Sequence, residues 1–155
     1  MPVCRIPLAA LALAALSGVG ALAPSSLGAQ AAPAASAADS LAFPRRVFAW
    51  VRQSQADSVF AHAAEPMKSR LQSPANVTAM MGQLAAQIGA YKSTEGEYQF
   101  EREGRKVYIA VARHETAPEL AAHVIQYAPG ASMFERLGAM PLSRAKEMFP
   151  EAKLP

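Results

Sequence analysis

At Gly89 the apolar residues of this chain change period, from one suited to a helix to one suited to a strand, and that switch constrains the fold more than any other feature of the sequence. Before it, Val77, Met80, Met81, Leu84, Ala85 and Ile88 follow the spacing of a one-sided amphipathic helix. Ser73 stands at its cap, Pro74 at its first position and Gly89 at its stop. After it, Tyr98 and Phe100 alternate with Gln99 and Glu101, Glu103-Gly104 marks a turn, and Val107, Ile109 and Val111 alternate with Tyr108, Ala110 and Ala112. Thr116-Ala117-Pro118 and Pro129-Gly130 mark two further turns, with Leu120 to Tyr127 between them and Met133 to Leu137 beyond. Helices followed by an antiparallel meander make an α+β chain, with N-terminal helices packed on a curved four-stranded sheet.

Turn lengths turn this pattern into a register. A two-residue loop at Glu103-Gly104 sets Phe100 opposite Val107 and Tyr98 opposite Ile109; a loop centred on Ala117 sets Val111 opposite His123 and Ile109 opposite Ile125. One face then carries Tyr98, Phe100, Val107, Ile109, Val111, His123, Ile125 and Tyr127 and is expected to take the helices. The other, with Tyr108, Ala110, Ala112, Leu120 and Val124, is apolar enough to need covering, which predicts a homodimer. The fourth strand stays open: one loop length buries Phe134, another Met133.

Upstream, Val47, Trp50 and Val51 predict a helix from Phe43-Pro44, Asp57 is expected to cap Ser58 to Ala63, and Met67 to Leu71 adds a turn. Ser143 to Phe149 predicts a short helix stopped by Pro150. The first 31 residues have the layout of a secretory signal peptide: Arg5, the Ala/Leu run from Leu8 to Leu16, then Ala29-Gln30-Ala31 as the cleavage site. The alternative is an uncleaved anchor over Ile6 to Ala23. Cys4 precedes the apolar run, so a lipoprotein is excluded. The expected plan is therefore signal peptide 1–31, flexible linker 32–42, folded domain 43–142 and C-terminal tail 143–155, in a protein exported to the periplasm or secreted, with no membrane attachment after cleavage.

Composition then removes whole classes of function. Cleavage takes away Cys4, the single cysteine, which excludes thiol catalysis, Cys-ligated zinc and iron–sulfur chemistry. The 15 Lys and Arg against 12 Asp and Glu leave a small net charge, and Arg45-Arg46 and Arg105-Lys106 are isolated pairs rather than a basic stripe, so no nucleic-acid partner is expected.

The approach to the sheet is the most specific stretch: Met67-Lys68, Leu71, Ser73-Pro74, then Gln87-Ile88-Gly89-Ala90-Tyr91-Lys92. It resembles the domain of unknown function 3887 family, a branch of the nuclear transport factor 2-like (cystatin-like) superfamily, from about Phe43 to Leu142. The resemblance implies a cone-like sheet wrapped around the N-terminal helix with a cavity at its open end, and no particular reaction.

His123 is the central candidate, an imidazole placed on an apolar face, with Tyr98 and Tyr127 as companion ligand-binding residues and Arg136 nearby. The expected ligand is small and apolar. His114, beside a turn, reads as solvated; with His123 it supplies two ligands of a metal site but no third. Met80 and Met81 read as core filling or as the lining of a flexible apolar pocket. The aspartates and most glutamates, Glu97 among them, fall at linker, cap, turn or outward positions, so no tuned carboxylate is paired with a tyrosine. There is no G-x-S-x-G elbow. No catalytic set, cofactor or metal is expected. The leading reading is a non-catalytic small-ligand-binding or dimerisation module; the alternative is an isomerase- or hydrolase-type enzyme using His123 as general base.

Overall fold

The structure is a computed structural model that describes residues 40–155. The segment expected to be a signal peptide, 1–31, and all but the end of the expected linker, 32–42, lie outside the described residues. Four helices come first: α1 (Ala42–Arg52), α2 (Ala56–Ala61), α3 (Glu65–Leu71) and α4 (Pro74–Ile88). Strands β1 (Tyr91–Arg102), β2 (Arg105–His114), β3 (Ala121–Tyr127) and β4 (Phe134–Pro141) form one sheet in that order, each pair antiparallel. Helix α5 (Leu142–Met148) and a 3-10 turn (Pro150–Ala152) end the chain, so the helices are not all N-terminal. The α+β class follows directly. None of the described helices is long and apolar enough to cross a membrane.

The local signals act where their chemistry is strongest. Ser73 Oγ accepts from Asn76 N at 3.2 Å, Pro74 follows, and α4 closes at Gly89. Glu103 and Gly104 both take positive φ, the demand of a type I′ turn, so Tyr98 pairs with Ile109 and Phe100 with Val107 as expected. Asp57 is not the cap of α2; Gln55 is, and Asp57 lies in the first turn, where a carboxylate faces the positive end of the helix.

The β2–β3 register differs by one residue from the sequence expectation. Ala110, not Val111, lies opposite His123, and Tyr108, not Ile109, opposite Ile125. A shift of one moves every β3 side chain to the other face. Tyr108, Ala110, Ala112, Ile125 and Tyr127 therefore join Val47, Phe48, Val59, Met67, Leu71 and Phe134 in the core under α1–α4. Val107, Ile109, Val111, Ala122 and Val124 form a second core on the opposite face, covered by Leu142, Ala145 and Phe149. Burial of Tyr108, Ala110 and Ala112 beneath the helices removes the surface on which the homodimer was expected. Residues 143–155, set apart as a tail by sequence, help build the second core. Phe134 is fully buried and Met133 exposed, which resolves the fourth strand.

Register also turns Glu97 inward, opposite Ala110, against the expectation of an outward carboxylate. It accepts from Tyr108 Oη at 2.6 Å and from Arg45 Nε at 2.8 Å. Burial, then Glu97, pushes the Tyr108 phenol far up, so it stays a donor. This cluster fastens α1 to the sheet.

Candidate functional site

Of the apolar stripe on α4, only Val77 is buried. Met80 is 53% exposed, and Met81, Leu84 and Ile88 are half-buried. The helix packs chiefly on α2 and α3. Between it and the strands lie two adjoining recesses, of about 270 and 310 Å³. Val51, Met81, Leu84 and His123 line both; Val59, Leu71, Leu137 and Ala139 extend the first, Arg52, Tyr91 and His114 the second. Such volumes sit near the lower end of the ~300–1,000 Å³ of small-molecule sites. No aspartate or glutamate lines either recess.

His123 rises from β3 into this cleft and is 3% exposed, the one polar residue buried to that degree among the described residues. Its ring lies 5.0 Å from that of Phe48, and its Nε2 is 2.9 Å from His114 Nε2. Donor directions follow from the far end of the pair. His114 Nδ1 lies 3.3 Å from the Gly89 carbonyl oxygen, which can only accept, so Nδ1 carries the proton. A neutral His114 then accepts at Nε2, His123 Nε2–H donates, and His123 Nδ1 is left as a lone pair. Among the described residues Nδ1 has no partner, yet no fully buried side-chain nitrogen or oxygen lacks one, so Nδ1 keeps some accessible surface, on a residue that lines both recesses.

Gly89 makes this arrangement possible. At φ 78° it ends α4, and a Cβ there would fall 2.8 Å from Thr116 N. The close approach lets Ile88 O accept from Thr116 N at 3.1 Å and Ala90 O from Glu115 N at 2.9 Å, which ties the end of α4 to the end of β2 and brings the Gly89 carbonyl to His114.

Burial, then His114, then Arg52 lower the His123 pKa to about 4. An imidazole depressed in the folded state binds its proton more readily when unfolded, so its contribution to stability is intact at neutral pH and is lost as pH falls from about 6.5 to about 4. The expected loss is on the order of 3 kcal/mol across that window. Urea midpoints at pH 7 and pH 4, compared with those of His123→Gln, measure it: the variant should show a flatter pH dependence, and equal slopes would refute a buried neutral His123.

The ligand-binding residues expected from sequence are not brought together. Tyr98 packs with the second core, on the face away from His123, its ring close over Gly96. Tyr127 shares the helix-side face with His123 but meets Phe43, Gln99 and Ser40 instead of the cleft. Its phenol is pushed up by burial. Arg136 pairs with Gln126 and lines neither recess. His114, expected to be solvated, is the partner of His123, and Arg52 was not singled out. Both were reachable: the correct loop parity puts His114 on the face of His123, and Arg52 ends the helix that carries Phe48. No group of three His, Cys, Asp or Glu able to hold a metal occurs among the described residues. The chain matches no family model, no curated protein and no solved structure.

Proposed function

We propose that this chain is an exported, non-catalytic binding module of the nuclear transport factor 2-like type, close to the domain of unknown function 3887 family, which takes one small, mostly apolar molecule in the cleft beneath α4. The single observation that carries the reading is an amphipathic helix whose apolar residues beyond Val77 are only half-covered, along a cleft that His123, with its unpartnered Nδ1, also lines. An apolar cleft with few placed polar groups is the usual form of a small-molecule site. The family reading draws on the order of helices and meander and on the Gly89 joint, and export on the layout of residues 1–31. The catalytic alternative gains an orienting partner in His114, but an imidazole held at about 4 is a weak base near neutrality.

N-phenyl-1-naphthylamine, an apolar fluorophore with one N–H, tests the cleft. The full chain should bind it saturably at one site. Leu84→Gln removes apolar wall from both recesses, and its expected cost is about tenfold in Kd with little change in the unfolding midpoint. Unsaturable binding, or a Kd unmoved by Leu84→Gln, would remove the cleft as the site.

A further inference from the structure

The second recess has a polarity that the binding reading leaves unused. Its wall carries Arg52, the one arginine, lysine or carboxylate lining either recess. The guanidinium lies 5.1 Å from the Phe48 ring centre and 4.6 Å from that of Tyr91. Contact with two aromatic rings, themselves at 79° to one another, holds the guanidinium at the cleft wall by cation–π attraction. Among the described residues the Arg52 side chain makes no ion pair or hydrogen bond, unlike those of Arg45, Arg102, Arg105 and Arg113, each of which meets a glutamate. A positioned, unneutralised guanidinium with no carboxylate in the same wall recognises an anion. Beside it, His123 Nδ1 asks for a donor, and Met81, Leu84 and Ile88 ask for a hydrocarbon chain.

We propose, resting on the binding reading above, that the ligand is an anionic amphiphile: a carboxylate on Arg52, a hydroxyl near it donating to His123 Nδ1, and an alkyl chain along α4 into the first recess. The three demands are chemically different and adjoin one another in one continuous cleft. A neutral apolar molecule satisfies only the third, and a small free anion only the first.

The test is isothermal titration calorimetry of the full chain at pH 7 with 3-hydroxydecanoate and with its methyl ester, which keeps the chain and the hydroxyl and removes the charge. The acid should bind about fivefold more tightly than the ester, a modest ratio because Arg52 is solvent-exposed. Arg52→Gln should abolish that preference by weakening the acid alone, and Arg52→Lys should keep part of it. An ester that binds as well as the acid, or a preference that survives Arg52→Gln, overturns the anionic ligand while the cleft stands. Binding of neither compound overturns the cleft along with it.

Discussion

Phe134→Ala is expected to cost about 3–5 kcal/mol of stability, a large share of the ~5–15 kcal/mol typical of a domain. Phe134 is fully buried at the start of β4, and its backbone does a second job. Its N–H donates to His62 O at 2.9 Å, and its carbonyl accepts from Ala64 N at 2.8 Å, so the link between α2 and α3 is stitched to the sheet beside the ring. Deleting the ring leaves a cavity in the helix-side core, which the surrounding side chains, Val59, Met67 and Leu71 among them, can fill only in part. Urea denaturation should show the midpoint falling with the m-value unchanged. A loss below about 1 kcal/mol would mean that the helical layer and the sheet do not depend on this contact.

Ending the chain at Pro141 should have a still larger effect. Residues 142–155 supply Leu142, Ala145 and Phe149 to the second core, with Ala152 and Leu154 packed beside them. Polar contacts hold the segment down: Ser143 N and Oγ each donate to Glu119 at 3.0 Å, and Arg102 donates to Met148 O at 2.9 Å. Its removal bares Val107, Ile109, Val111 and Val124, a patch of apolar side chains on a sheet face. Size-exclusion chromatography with light scattering should find aggregates or a soluble oligomer in place of the full chain's species. A truncated protein that elutes as the full chain does, with an undiminished urea midpoint, would show that α5 decorates the sheet without stabilising it.

How much of this was legible in the sequence depended on whether a residue's chemistry allowed an alternative. Glu103-Gly104 permits one tight turn and so fixed the β1–β2 register; Ser73-Pro74 and Gly89 allowed one placement of α4. The β2–β3 pairing had no such device. Both faces of β2 are apolar, Val107, Ile109 and Val111 on one and Tyr108, Ala110 and Ala112 on the other, so the hydrophobic pattern accepts either parity of the loop after it. A sheet buried on both sides hides its own register, and the expected site went with it, because parity decides whether His123 shares a face with Tyr98 or with His114. The stripe on α4 was legible as a pattern, but a pattern states which face is apolar and not whether a protein side chain covers it.

A meander leaves two outer strands, and an outer strand is a template on which a second chain can add. Here each is spoiled by a different device. The outer edge of β1 is broken by irregularities between Tyr91 and Ser93 and between Thr94 and Gly96, which twist its free amides out of line. On β4, Ala63 bridges to Phe134 at one end, and Pro141, which has no N–H to offer, closes the other. The bulged opening of β1, beside the cleft at Tyr91, thus also guards the sheet against growing from one molecule into the next.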